Sequence, residues 1–171
     1  MSIQAPTWER GAERQMGHVY ANITIRNRID EALFERGQLG QGEVRTLTLE
    51  RVMVDTGATT LALPASMIAE LGLTSDRETP VRTATGTVQA RIFRDASLTV
   101  EGRNGSFECM ELADGAQPLL GVLPLEALGI EPDIINHRLR LLPEEPGGET
   151  HYFLMGWTEL PAIPTDSLQP R

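Results

Sequence analysis

The sequence contains no lysine, because all 15 of its basic residues are arginine. A Walker-type phosphate-binding loop, a Schiff-base enzyme and a Ser-Lys hydrolase each require a lysine, so those enzyme classes are excluded. Acidic residues number 24, which gives a formal net charge of −9. A chain this acidic is a poor partner for nucleic acid or for an anionic membrane surface, and we expect it to bind neither.

Cysteine, histidine and long apolar runs are also scarce. Cys109 is the only cysteine, so an intrachain disulfide and a four-cysteine zinc site are both excluded. The histidines, at positions 18, 137 and 151, lie far apart in the sequence, so we expect no metal site and no cofactor. No segment offers the apolar length that a secretory signal or a membrane span requires, and we therefore expect a cytoplasmic protein.

The length and composition are typical of one globular domain. The chain has 171 residues, of which 40% are hydrophobic and 23% are charged. Residues 1–16 show no clear periodicity, which predicts a flexible N-terminal arm. Residues 17–143 form the predicted domain, and residues 144–171 form a predicted linker and tail.

Alternation of apolar and polar side chains dominates the predicted domain and favours an all-β fold. Residues 19–25 and 44–54 alternate in this way, and a change of parity at Glu50-Arg51 predicts a bulge in the second run. Residues 26–42 are predicted to form an exposed excursion with one helical turn. Two short helices are predicted after Pro64 and from Pro124, each ending near a Leu-Gly pair. Hairpin turns are predicted at three dipeptides, Thr85-Gly86, Asn104-Gly105 and Asn136-His137.

The strongest chemical signal is an aspartate at the end of an apolar strand. Asp55 follows Val52-Met53-Val54, where loss of solvation makes a carboxylate costly unless it has hydrogen-bond partners. Gly57 lets the backbone turn directly after the acid, and Thr56 supplies a hydroxyl group. Taken alone, an Asp-Thr-Gly sequence is also compatible with an aspartate that only caps a turn, so both interpretations stay open at this point.

With its surroundings, this motif resembles the retropepsin-like aspartic peptidases, in particular the single-domain bacterial relatives of retroviral proteases. The resemblance extends over about residues 17–143. It includes the strand that enters Asp55-Thr56-Gly57-Ala58 and the strand and helix after it. It also includes the Thr85-Gly86 hairpin, where the family has its flap, and Leu119-Leu120-Gly121, where the family has a second apolar-glycine motif. The resemblance implies a closed-barrel-like fold with two short helices and one domain per protomer.

The same resemblance implies a homodimeric aspartic endopeptidase that acts on peptide or protein substrates. Each chain holds one Asp-Thr-Gly motif, so a catalytic pair of carboxylates needs two copies of the chain, and such a pair would share a proton. The implied site comprises the catalytic Asp55, the turn residues Thr56, Gly57 and Ala58, the flap residues Ala84, Thr85, Gly86 and Thr87, and the structural residues Leu120, Gly121 and Val122.

Two positions depart from the retroviral pattern. An acidic residue usually follows Asp-Thr-Gly-Ala and an arginine usually follows the glycine of the second motif, whereas this chain has Thr59 and Val122 there. A catalytically inactive protease-fold dimer that binds extended peptides is the alternative function. A phosphate-handling aspartate of the haloacid-dehalogenase type needs a second Asp where Gly57 stands. Cys109 alternates within a predicted strand, so we expect it in the core.

Overall fold

The computed structural model describes residues 18–83 and 86–143. The predicted arm and tail, residues 1–16 and 144–171, lie outside these ranges. The described elements, in chain order, are β1 (Val19–Asn27), α1 (Arg28–Glu35), a 3-10 turn (Gln41–Glu43), β2 (Thr46–Val54), β3 (Leu61–Pro64), α2 (Ala65–Leu71), β4 (Thr74–Thr83), β5 (Gly86–Val100), β6 (Arg103–Leu112), β7 (Leu119–Leu120), α3 (Val122–Ala127), β8 (Ile130–Asp133) and β9 (Arg138–Leu141). None of these helices is long and apolar enough to cross a membrane. The all-β prediction is confirmed. The prediction of an exposed excursion with one helical turn at residues 26–42 is wrong, because β1 continues to Asn27 and the eight-residue helix α1 follows with Asp30 buried, so the described chain has three short α-helices rather than two.

The strands of the large sheet pair in a closed ring. Strand β1 pairs with both β2 and β5, and the remaining pairings run from β2 through β7, β3 and β6 back to β5. Strand β4 pairs only with β5 in this sheet, so it lies outside the ring. Strands β8 and β9 form a separate two-stranded sheet. The ring accounts for the barrel-like character that was predicted.

Local sequence signals place several elements correctly. Helix α2 spans the predicted residues and ends at Gly72, which has a φ of 57°. The bulge is confirmed, because Glu50 and Arg51 together lie opposite Asn22 between two registered pairs of β1 and β2. Helix α3 begins two residues before Pro124, since a proline is tolerated within the first turn, where its missing N–H has no intrahelical partner.

The predicted turn at Asn104-Gly105 is wrong. Strands β5 and β6 are joined at Glu101-Gly102, where φ is 49° and 80°, and both residues of Asn104-Gly105 lie inside β6. Two successive positive φ angles are the geometry of a tight hairpin turn. Directly after this turn, the Arg103 guanidinium donates to the carbonyl oxygens of Leu128, Gly129 and Leu142 at 2.6–2.8 Å, which anchors the register.

The core lies on one face of the sheet and is almost entirely aliphatic. It contains side chains from β1, β2, β3, β5, β6 and β7 together with residues of α2 and α3. The largest of its fully buried side chains are Ile23, Ile25, Leu61, Leu63, Leu71, Leu98, Leu120 and Leu125. Burial of a side chain of this kind stabilises the fold by about 1.5–3 kcal/mol.

A buried asparagine connects three elements beside this core. Asn27 is 1% exposed, and its Nδ2 donates to the carbonyl oxygens of Leu71 and Gly72 at 2.9 Å. Its Oδ1 accepts from the amides of Ile29 and Asp30, at 2.9 and 3.1 Å, and so caps α1. One side chain therefore joins the end of β1, the start of α1 and the end of α2.

An ion pair between Asp30 and Arg45 stabilises the same junction. Asp30 is 6% exposed, and its Oδ2 accepts from Arg45 Nε at 2.7 Å while its Oδ1 accepts from Arg45 Nη2 at 2.8 Å. These hydrogen bonds lower the pKa of Asp30 from its ordinary value. A Cβ atom at Gly72 would lie 1.6 Å from Arg45 Nη1, so a side chain there would displace the guanidinium that pairs with Asp30, and the positive φ of this residue also favours glycine.

We expect Asp30→Asn to lower the free energy of unfolding by about 2 kcal/mol at neutral pH, because it removes charged hydrogen bonds to Arg45. The folded-state pKa of Asp30 is below its ordinary value of 3.8, so the wild-type contribution is present above that pH and is lost as the pH falls below it. The two proteins should therefore converge in stability under acid conditions. Urea unfolding between pH 3 and 7 measures this.

Glu35→Gln is the matched control on the same helix. Its ion pair with Arg28, at 3.4 Å, is exposed, and such pairs contribute roughly 0–1 kcal/mol. A constant difference in stability between Asp30→Asn and the wild type across this pH range would contradict the prediction.

Candidate active site

The Asp55 motif forms a tight turn at the end of β2. The amide of Gly57 donates to Asp55 Oδ1 at 2.9 Å, and the amide of Ala58 donates to the Asp55 carbonyl oxygen at 3.0 Å. Asp55 and Ala58 are half-buried, whereas Thr56 and Gly57 are exposed. The carboxylate therefore keeps one oxygen engaged by the turn while its side chain remains accessible. The turn presents a fixed acid at the surface.

The second apolar-glycine motif lies directly against this turn. Strand β7 runs parallel to β2, with Leu119 opposite Met53 and Leu120 opposite Val54. The amide of Asp55 donates to the Leu120 carbonyl oxygen at 3.0 Å. Two segments that are far apart in the sequence thus form one backbone unit.

Further backbone hydrogen bonds continue this unit beyond the strands. The amide of Gly121 donates to the Thr60 carbonyl oxygen at 3.1 Å. The amide of Val122 donates to the Ala58 carbonyl oxygen, and the amide of Leu123 to that of Thr59, both at 3.0 Å. The loop that carries the acid therefore cannot move without the start of α3.

Gly121 is required by close backbone contact rather than by an unusual φ, because its φ of −84° is open to any residue. A Cβ atom at this position would lie 2.5 and 2.6 Å from the backbone oxygen and nitrogen of Thr60, and 2.7 Å from the Ala58 oxygen. Gly121 is buried. The absence of a side chain here lets the two loops pack together.

The hairpin predicted as a flap is formed by β4 and β5. Its last described pair is Thr83 with Gly86, whose φ of 138° favours glycine, followed by Arg82 with the exposed Thr87. Ala84 and Thr85 lie outside the described residues, so the predicted role of the hairpin tip stays a prediction. The hairpin itself is longer than predicted, because β4 begins at Thr74.

A row of apolar residues crosses the sheet on the face opposite the core. Met53 lies opposite Leu119, Leu119 opposite Ala62, and Ala62 opposite Met110. Met53 precedes Asp55 by two residues, so the alternation of a strand places them on one face. None of the four residues belongs to the core cluster, but only Met53, Leu119 and Met110 are half-buried, whereas Ala62 is fully buried. With strands about 4.8 Å apart, the row is about 14 Å long.

A cavity lies at the far end of this row. Its volume is about 520 Å³, and its lining includes Val81, Val88 and Ala90 from the hairpin together with Met110 and Leu112 from β6. It forms where the hairpin separates from β6, since the last registered pair of β5 and β6 in this direction is Ile92 with Met110. The half-buried Met53, Leu119 and Met110, together with the cavity lining, provide apolar surface that begins beside the Asp55 turn.

An ion pair that the sequence analysis missed bridges the edge of this cavity. Arg91 Nε and Nη2 donate to Glu111 Oε1 at 3.0 and 2.7 Å. Both residues line the cavity and lie one position beyond the Ile92–Met110 pair. The bridge joins the base of the hairpin to β6 where the backbone ladder ends. Only the register of β5 and β6 could have indicated it, because the residues are 20 positions apart.

The cysteine and the other described groups that the sequence analysis considered have structural surroundings. Cys109 is buried in the core as predicted, and burial raises the pKa of its thiol to about 12, so the reactive thiolate is suppressed. The described ranges contain no cluster of three or more His, Cys, Asp or Glu side chains suited to a metal ion. His137 Nδ1 lies 3.2 Å from the carbonyl oxygen of His18, in a structural contact.

Comparison with known protein families matches residues 41–127 to the family described as "gag-polyprotein putative aspartyl protease". This segment includes both the Asp55 turn and the Gly121 motif. The chain belongs to this aspartyl protease family. Comparison with curated protein sequences gives no match. Among solved structures, the chain is similar to EIAV protease complexed with the inhibitor HBY-793, with a TM-score of 0.43 and 18% identity over 69% of this chain and 94% of that chain.

Within the aspartyl protease family, the two unusual positions of this chain are joined through the backbone. The Thr59 carbonyl accepts from Leu123, and the Val122 amide donates to Ala58, so the main chain connects the two segments that the usual acid and arginine would occupy. Both side chains are uncharged, so the substitutions leave no unpaired charge at this contact.

We expect Gly121→Ala to lower the free energy of unfolding by about 2–4 kcal/mol, because the new Cβ would overlap the backbone of Thr60 and Ala58. Gly42→Ala is the control, since a Cβ there meets nothing within 4 Å. Urea unfolding of both variants measures the difference. Equal stability of the two variants would show that the aspartyl protease loops do not depend on this contact.

Proposed function

We propose that the chain is a homodimeric aspartic endopeptidase whose catalytic pair consists of one Asp55 from each protomer. The observation that supports this most directly is the accessible Asp55 carboxylate, held by the Gly57 amide and backed by the Gly121 motif. The single motif per chain supplies half of such a pair, so a twofold axis beside the turn would complete it.

In this proposal the two carboxylates share one proton, because two like charges so close together cannot both ionise. The ionised carboxylate accepts a proton from a water molecule, whose oxygen attacks the peptide carbonyl carbon. The protonated carboxylate donates its proton to the carbonyl oxygen. The roles then reverse: the first carboxyl group gives its proton to the amide nitrogen as the C–N bond breaks. The second carboxylate takes a proton from a hydroxyl group of the tetrahedral intermediate, which becomes the carboxylic acid product, and the pair returns to its starting state.

Peptide binding is assigned to the apolar row and the hairpin above it. An extended peptide rises about 3.3 Å per residue, so a row about 14 Å long accommodates about four residues on one side of the cleaved bond. Main-chain groups of the hairpin would pair with such a peptide as an added strand. In this arrangement Gly57, which is exposed and has no side chain, leaves room for the substrate backbone next to the acid.

We expect Asp55→Asn to lower the rate of peptide cleavage by about 10³-fold, because an amide can neither accept the proton from water nor share one with its twin. The measurement is mass spectrometry of a diverse peptide pool incubated with each protein. Asp114→Asn is the matched control. Asp114 caps α2 by accepting from the Ser66 amide at 2.8 Å, a bond that an asparagine oxygen preserves.

Undiminished cleavage by Asp55→Asn would overturn the proposed mechanism. A folded, dimeric wild-type protein that binds extended peptides but cleaves none of them would identify the chain as a binding protein instead. A transition-state mimic with a central hydroxyl group should bind the wild type and not Asp55→Asn.

We expect Met110→Asp to lower kcat/KM by about tenfold to a hundredfold, mainly through a higher KM, because it places a charge in the apolar row. Ser106→Asp is the control, since Ser106 is exposed on the same strand and outside the row. Steady-state kinetics on one cleaved peptide measures the effect. An unchanged KM would show that substrate does not contact the row.

A further inference from the structure

The turn of the β8–β9 hairpin exposes two adjacent isoleucines. Ile134 is 54% exposed and Ile135 is 89% exposed, the largest value among the exposed large hydrophobic residues of the described chain. The turn is held in place, because Asp133 accepts from the Asn136 amide at 3.1 Å and from Asn136 Nδ2 at 2.7 Å. A rigid turn that presents apolar side chains to water is unfavourable unless another surface covers them.

This turn lies at the Asp55 end of the molecule. His137 in the turn contacts the carbonyl of His18 at 3.2 Å. His18 leads into Val19, which lies opposite Val54 in the β1–β2 ladder, and Asp55 follows Val54. The exposed isoleucines and the acid therefore lie toward the same end of the β1–β2 pair of strands.

The charges of the hairpin cancel within it. Arg140 pairs with Glu131, and Arg138 Nε lies 3.6 Å from Asp133 Oδ2. The chain as a whole has a formal charge of −9, which gives two copies a net electrostatic repulsion. The hairpin is a region where two copies can approach without bringing unpaired like charges together.

We infer that the Ile134-Ile135 turn is a contact surface for a second copy of this chain, and that this contact brings the two Asp55 turns together. The inference rests on the proposed function, in which the site is incomplete without a partner. A twofold axis makes the contact reciprocal, so each turn packs against the other protomer beside its acid. The apolar turn thus directs assembly to the end of the molecule where catalysis needs it.

The test is Ile135→Asp in the full chain, compared with Phe34→Asp. Phe34 is an exposed apolar residue on α1, 42% exposed, and is not part of the hairpin. We expect Ile135→Asp to raise the dissociation constant of the dimer by about thirtyfold or more, because it places a charge at the centre of the contact. Phe34→Asp should leave that constant unchanged. Sedimentation equilibrium measures both, and circular dichroism confirms that each variant is folded.

Peptide cleavage over a range of protein concentrations provides a second measurement. Ile135→Asp should be inactive at concentrations where the wild type is active, and its activity should return at high concentration as the weakened dimer forms. An Ile135→Asp protein that dimerises as tightly as the wild type would overturn the inference while leaving the proposed function intact. A wild-type protein that is monomeric at every concentration would overturn both.

Discussion

The structure depends on one backbone contact, the approach of Gly121 to Thr60 and Ala58. A missing side chain lets two loops pack so closely that their amides and carbonyls bond directly, with Gly121 donating to Thr60 and Val122 to Ala58. The parallel pairing of β2 with β7 continues from this contact, and the amide of Asp55 completes it. Asp55 is thereby held by main chain of both segments, since its amide donates to the Leu120 carbonyl oxygen and its carboxylate accepts from the Gly57 amide.

The two faces of the sheet carry different sets of apolar side chains. One face carries the aliphatic core, in which Val54 and Leu120 are buried side by side. Their neighbours Met53 and Leu119 are half-buried on the other face, in the apolar row. The same short strands therefore contribute alternate residues to the core and to the apolar row. A substitution on these strands therefore affects either the core or the apolar row, depending on the face of the sheet on which its side chain lies.

Signals that operate within a few residues were sufficient to predict many elements. Helix α2 and the bulge at Glu50-Arg51 follow from adjacent glycine, proline and apolar positions. The prediction of a turn at Asn104-Gly105 was wrong because contacts between distant residues fix the register of β5 and β6. Arg103 donates to carbonyl oxygens at the end of α3, which no local pattern indicates. The ion pair of Asp30 with Arg45 joins residues 15 positions apart, a connection that no local pattern encodes.

The candidate site was likewise predictable where it consists of local motifs and not where it depends on the order of the strands. Asp55 and Gly121 were predicted because each lies in a short motif, and the structure brings the motifs together. The apolar row was not predicted, since it is assembled from single residues of four strands and exists only once their order is known.

Strand β5 is part of both the closed ring and the β4–β5 hairpin. Its second half closes the ring through β1 and β6, whereas residues before Ile92 pair only with β4. The β4–β5 hairpin is therefore attached to the ring only where β5 enters it at Ile92. The part of β5 before Ile92, about six residues, extends about 20 Å beyond the ring. A displacement of this part of the hairpin would break no backbone hydrogen bond between the strands of the ring.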